Sequence, residues 1–225
     1  MTLTEKPKAS SDQKRRNSPA PRKRNAAITR ERILKAAMEE FCAKGFNGAR
    51  MDRIVEDADC NIRMAYHYFG DKEGLYLTVL EGVYNQLRSR ESELELKHMA
   101  PEEGVKTLVE FTFDYMANHP EFVSMISNEN MMKGKFLHQS ENVPKKTTPL
   151  VQAIRNLLKR GQVTGVFKPG VDPVQLYVSI LSLSYVHISN RHTLSIIFSQ
   201  DLDDPEWLND RRNHAYEVII GFLRP

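Results

Sequence analysis

Cysteine is nearly absent: the 225 residues contain only Cys42 and Cys60. Two cysteines outside any CxxC pair exclude a disulfide framework and a thiolate zinc site. Cys42 falls in an apolar helical stripe and reads as a small core residue. Long apolar runs are missing too, and no stretch approaches the ~20 residues a membrane span needs. The first 25 residues are mainly Lys, Arg, Pro, Ser and Ala and hold no hydrophobic signal region. A cytoplasmic protein is the expectation. No P-loop, GxGxxG, GxSxG or HExxH pattern occurs. His98, His119, His138, His187, His192 and His214 are scattered without carboxylate or cysteine neighbours at ligand spacing. No cofactor, no metal and no catalytic set is expected. Strand-like alternation and internal repeats are lacking as well.

What is present is charge and helical periodicity. Charged residues make up 27% and hydrophobic residues 40%, enough for a packed core. The net charge of +3 is small, but its distribution is uneven. Residues 1–80 hold 16 Lys and Arg against 11 Asp and Glu, while the rest hold 16 against 18. The positive excess lies at the N-terminal end, where either a solvated tail or a nucleic-acid site would place it.

Residues 1–26 are basic, Pro- and Ser-rich and without aromatics, so they are expected to be a disordered tail. Order is expected from Ile28, with Thr29 as N-cap and Ile28 and Ile33 as a hydrophobic staple. The stripe Ile33, Leu34, Ala37, Phe41 has helical spacing, and Gly45 is a natural stop. Short helices follow over about 50–58 and 62–68, the second capped by Asn61. Asp71 opens a long helix over about 72–96. Its first half is apolar on one face, and its second half, 88–97, is charged enough to read as a solvated connector.

Beyond Pro101 everything reads as helix. Residues 101–118 carry Val105, Leu108, Val109, Phe113 and Met116 on one stripe, with Phe111 and Tyr115 on a second. His119-Pro120 interrupts, and 121–132 is Met-rich. Residues 138–148 read as a loop, 149–160 as an amphipathic helix and 161–170 as a turn. Asp172-Pro173 caps a helix to about 189. A segment near 193–198 and a last helix to Leu223 complete the pattern. The helices at 174–188 and 216–223 are apolar nearly all round. Such helices must be buried all round, either at the centre of one subunit or against a symmetry mate.

Two short helices joined by a tight turn, between a first helix and a longer fourth, form a helix-turn-helix unit whose second short helix suits the DNA major groove. Gly45-Phe46, Met51, Ile54, Ala58-Asp59-Cys60-Asn61 and the run Tyr66-His67-Tyr68-Phe69-Gly70-Asp71-Lys72-Glu73-Gly74-Leu75 closely resemble the DNA-binding domain of the tetracycline-repressor (TetR) family. The resemblance spans roughly residues 29–80. It implies an all-α protein with an N-terminal DNA-binding domain, 27–80, and a larger helical regulatory and dimerisation domain, 81–225. It implies base contacts from Ile62, Arg63 and Met64 at the start of the third helix, beside its cap Asn61. Phosphate contacts are implied for Tyr66, His67, Lys72 and Arg50. Tyr66 and Phe69 could equally be core residues. Lys72 could be a solvated lysine, although a cation at a helix N-terminus suggests a counter-charge. The family's usual turn glycine is Asp59 here, and Met64 stands where a small hydroxylated residue is usual.

The implied partners are a palindromic double-stranded DNA operator, a second copy of the chain and a small-molecule effector. Candidate effector-pocket residues are Phe111, Tyr115, Met125, Met132, Tyr185 and Asn190, each of which could instead be core. Lys14, Arg15, Arg16, Arg22, Lys23 and Arg24 could lie along the DNA backbone or in a minor groove. The functional expectation is a ligand-responsive, sequence-specific transcriptional regulator, a repressor by resemblance. The competing expectation is a helical ligand-binding or scaffold protein without DNA regulation.

Overall fold

The computed structural model describes residues 21–225, so the expected basic tail over residues 1–20 lies outside the described residues. Among the described residues there are ten α-helices and no strand: α1 Pro21–Gly48, α2 Met51–Asp57, α3 Ile62–Phe69, α4 Lys72–Ser92, α5 Pro101–Asn118, α6 Pro120–Met131, α7 Asn142–Val163, α8 Pro173–Ser189, α9 Arg191–Phe198 and α10 Pro205–Leu223. A 3₁₀ turn, Leu137–Gln139, precedes α7.

Three expectations are corrected. First, residues 21–26 are helical, not part of a disordered tail, and Thr29 is no N-cap. The Thr29 hydroxyl donates to the Asn25 carbonyl at 2.9 Å, inside the helix. Second, residues 142–148 are the first two turns of α7 rather than loop. Pro149 removes one helical N–H, and the hydroxyls of Thr147 and Thr148 donate back to the carbonyls of Val143 and Pro144 at 2.8 and 3.2 Å. Third, the charged stretch 88–97 is mostly exposed but not wholly solvated. Glu91 is 5% exposed, and its carboxylate takes a 2.6 Å ion pair from Arg88 and a 2.6 Å hydrogen bond from the Tyr177 hydroxyl of α8. Charge alone suggested solvent; mutual pairing makes the burial tolerable.

The remaining boundaries follow local chemistry. At Gly45 the backbone takes φ 64° and ψ 175°, a conformation only glycine adopts readily, and α1 kinks there. Asp71 accepts a hydrogen bond from Gly74 N at 2.8 Å, and Asp172 accepts from Val174 N and Gln175 N at 3.0 and 2.8 Å. Asp204 does the same for Trp207 N at 2.9 Å. Each carboxylate satisfies amides that a helix start leaves bare.

Two hydrophobic cores hold the helices. The first gathers Ile33, Phe41, Ile54, Ala65, Leu75, Tyr76 and Leu80 from α1–α4, and continues through Val83 and Leu87 to Met116, Phe122 and Met125 of α5 and α6. Phe41, Tyr76 and Phe136 pack ring to ring, with Tyr76 5.0 Å from Phe41 and 4.8 Å from Phe136. The second core joins Val105, Leu108 and Val109 of α5 to Ile154 and Leu157 of α7, Ile180 of α8 and Ile219 and Leu223 of α10. Each large side chain so buried contributes roughly 1.5–3 kcal/mol. The helix-turn-helix is thus seated on the first core, which runs without a break along α4.

Candidate nucleic-acid interface

The α2–α3 unit is built around a turn that needs a left-handed residue. Asp59 supplies it at φ 46°. Arg32 of α1 clamps the turn: its guanidinium donates to the carbonyls of Ala58 and Asp59 and pairs with the Asp59 carboxylate at 2.9 Å. Asn61 then caps α3, accepting from Arg63 N at 2.8 Å. On its inner face α3 buries Ala65 and Phe69, which lock it against the first core. Phe69 is a core residue at 8% exposure, with the Arg30 guanidinium 5.2 Å from its ring centre.

The residues marked for DNA contact fall on the outer side. Arg63, Met64, Tyr66 and His67 are exposed on α3, Asn61 is exposed at its start, and Ile62 is half-buried against the core. Tyr66, at 44% exposure, is not a core residue. Arg50 is exposed at the start of α2; its backbone N–H donates to Glu40 Oε1 at 3.1 Å and its guanidinium lies 3.6 Å from Asp52.

Lys72 is half-buried at the start of α4. Its ammonium donates to the Ala49 carbonyl at 2.6 Å and sits 4.8 Å from the Phe46 ring centre. Burial lowers its pKa, and the nearby Glu40 carboxylate opposes that shift. The counter-charge demanded by the helix dipole therefore has an internal partner in part. Ala49 takes one of three ammonium donors. Gly74, two residues on, has no room for a side chain, because a Cβ there would lie 2.2 Å from the Phe69 carbonyl oxygen. The end of α3 and the start of α4 are in direct contact for that reason.

Five of the six pocket candidates belong to or pack against the first core. Met125 is wholly buried in the first core, and Tyr115 is nearly so, between His119 at 4.0 Å and Phe122 at 5.7 Å. Phe111, Met132 and Tyr185 are half-buried against that core, with the Tyr185 hydroxyl 2.7 Å from Ser127 Oγ. Asn190 is exposed and its amide donates to Val186 O and Ser189 Oγ, so it caps its own helix rather than facing a cavity.

A cleft of about 560 Å³ opens instead between α4 and α7, lined among others by Asn85, Arg88, Leu96, Lys97, Lys146 and Leu150. None of the six candidates lines it. Sequence reasoning missed it because the run 88–97 looked solvated. It also missed Arg32 and Glu40, although Glu40 sits seven residues after Ile33 on the buried stripe, where a carboxylate is out of place.

Two family models match the chain: "Bacterial regulatory proteins, tetR family" over residues 33–79 and "Tetracyclin repressor-like, C-terminal domain" over residues 101–219. The HTH-type transcriptional repressor NicS of Pseudomonas putida is 38% identical over 203 residues, covering 90% of this chain and 96% of that one. The HTH-type transcriptional repressor SCO4008 of Streptomyces coelicolor is 29% identical over 165 residues, 72% of this chain and 81% of that one. Among solved structures, the transcriptional regulator SCO4942 of Streptomyces coelicolor superposes with a TM-score of 0.65 at 26% identity, covering 88% of this chain and 99% of that one.

Proposed function

This chain belongs to the TetR family of transcriptional regulators, a family without enzymatic activity, and we propose that it binds a palindromic DNA operator as a homodimer and leaves it when a small molecule occupies the regulatory half. Residues 27–80 are the DNA-binding part and residues 81–225 the regulatory and dimerisation part. The observation that carries this reading is the outward row of α3: Arg63, Met64, Tyr66 and His67 are exposed while Ala65 and Phe69 anchor the helix from behind. In the major groove, Arg63 with Ile62 and Met64 reaches base edges. Tyr66, His67, Arg50 and Lys72 meet phosphates on either side, which sets position without reading sequence.

Pairing is favoured by the apolar residues that one subunit leaves open. Val174, Val178 and Val186 of α8 and Val218 and Phe222 of α10 are 43–52% exposed on adjoining helices. Covering them with the same face of a second copy makes a closed two-fold interface. Two recognition helices must then be about 34 Å apart, or a multiple of it, to reach successive grooves. A shift of α4, which begins three residues after the last residue of α3, changes that separation. A coupling of about 1–3 kcal/mol is enough to release the operator.

The test is a mobility-shift titration of the purified chain on the DNA flanking its own gene, at several salt concentrations. A discrete complex of two chains per site, weakening steeply with salt, is expected. Binding no tighter than to scrambled DNA would defeat the proposal.

A further inference from the structure

We infer that Lys135, on the loop that follows α6, belongs to the DNA interface as a positioning residue: its ammonium cancels the Glu73 carboxylate next to Lys72, so that the regulatory half helps to set affinity for the DNA backbone. The inference rests on the reading that α3 and the start of α4 meet DNA, and it adds a residue from outside the helix-turn-helix.

The start of α4 is poorly charged for meeting a phosphate. Asp71 and Glu73 flank Lys72 in the sequence, so two carboxylates stand against one ammonium. The Asp71 carboxylate caps the helix through Gly74 N at 2.8 Å. Glu73 lies in the first turn, where its charge suits the helix dipole but repels a phosphate. At low ionic strength the Debye length is about 10–30 Å, so an unmasked Glu73 is felt by a phosphate held at Lys72.

Lys135 supplies the missing charge. Its ammonium meets Glu73 Oε1 at 2.7 Å, from 62 residues further along the chain. It lies 5.7 Å from the Phe46 ring centre, and the Lys72 ammonium lies 4.8 Å from the same centre. The two cations thus share one aromatic ring. With Lys135 counted, the junction of Asp71, Lys72 and Glu73 is neutral rather than negative.

The backbone beside Lys135 is anchored. Phe136 is wholly buried, 4.6 Å from Phe46 and 4.8 Å from Tyr76 between ring centres. The buried Glu129 carboxylate accepts from the amides of Phe136 and Leu137 at 2.7 and 2.8 Å. The loop of the regulatory half is therefore seated in the first core, with Lys135 delivered to the start of α4. The side chains of Lys135 and Glu73 are 52% and 50% exposed. A pair so exposed adds little to stability. Its effect is on the field of the surface that DNA approaches.

The test titrates the purified full chain by fluorescence anisotropy on the DNA flanking its own gene and on a scrambled duplex, at low and high salt. Lys135→Gln keeps the aliphatic stem over the rings and loses the charge. It is expected to weaken both duplexes alike, by roughly three- to tenfold at low salt and much less at high salt. Lys135→Arg is expected to bind as the parent does, and Glu73→Gln to bind more tightly. The double variant Glu73→Gln/Lys135→Gln is expected to return to within about twofold of the parent. Lys106→Gln opens a comparable exposed pair with Glu110 on α5, in the second core, and is expected to change nothing. Helicity and Tm are expected to match the parent throughout. Full affinity in Lys135→Gln, a double variant as weak as Lys135→Gln, or equal weakening in Lys106→Gln would each overturn the inference. Should Lys135→Gln lose helicity, Glu73→Gln decides, and binding no tighter than the parent's overturns the inference. A parent that binds no DNA defeats the regulatory reading and this inference together; a parent that binds while Lys135→Gln changes nothing defeats this inference alone.

Discussion

Asp59 holds the helix-turn-helix turn at φ 46°, where any side chain is strained and Gly is not. Its carboxylate pairs with Arg32 but is 94% exposed, and an exposed pair is worth about 0–1 kcal/mol. The two carbonyls that Arg32 also holds do not depend on the side chain. Asp59→Gly is therefore expected to raise the urea midpoint slightly, by up to about 1 kcal/mol of stability. At the interface, Arg63→Ala should change operator preference, by about 1–3 kcal/mol at one base pair. Lys72→Ala should weaken all DNA alike and reduce the salt slope by about one. Selection from random DNA checks the first, and titration across salt checks the second. His187 has a different consequence. It is 4% exposed, stacks on Phe113 at 4.8 Å, and has both ring nitrogens buried without a partner. Burial, helped by the Arg211 charge, pushes its pKa from 6.5 down to about 4. The unfolded chain then binds the extra proton first, so stability is full above pH 6.5 and falls as pH drops toward 4. The loss is up to about 3 kcal/mol. Denaturation at pH 7 and pH 5 should show this fall in the parent and a much flatter profile in His187→Phe.

Among the elements, α4 does the most. It starts at the Asp71 cap, packs its first turn on Phe69, crosses the first core and ends in the Arg88–Glu91–Tyr177 cluster. Removing Arg88 or Glu91 alone leaves an uncompensated buried charge, whereas removing all three groups leaves none. Glu91→Ala is expected to cost about 3 kcal/mol or more. The triple variant R88M/E91L/Y177F is expected to recover most of that loss. Urea denaturation of both variants checks the difference. Triple and single variants of equal stability would show that the cluster is not a coupled unit.

For the whole molecule the deciding feature is the apolar face shared by α8 and α10. Val178 is 50% exposed in one subunit. Val178→Asp places a charge on the face proposed to receive a second copy, and charges are disfavoured at interface centres. It is expected to run as a folded monomer by light scattering with unchanged helicity, and to lose operator binding. A dimeric Val178→Asp chain with full DNA affinity would remove α8 from the interface.

Much of this protein could be read along the chain because the signals are local. Caps at Asn61, Asp71 and Asp172, the break at His119-Pro120 and the periodicity of α5 depend on neighbours within a turn or two. The resemblance over residues 29–80 depends on nearby residues in order. Three things were decided only by tertiary contact. Glu91 is buried because Tyr177, 86 residues away, meets its carboxylate. Lys72 turns inward because the Ala49 carbonyl lies within reach. The cleft between α4 and α7 exists because residues 85–97 and 146–153, about 60 residues apart in sequence, come to face each other. Periodicity says which residues leave water. It does not say which partner receives them, and that choice depends on how distant helices cross.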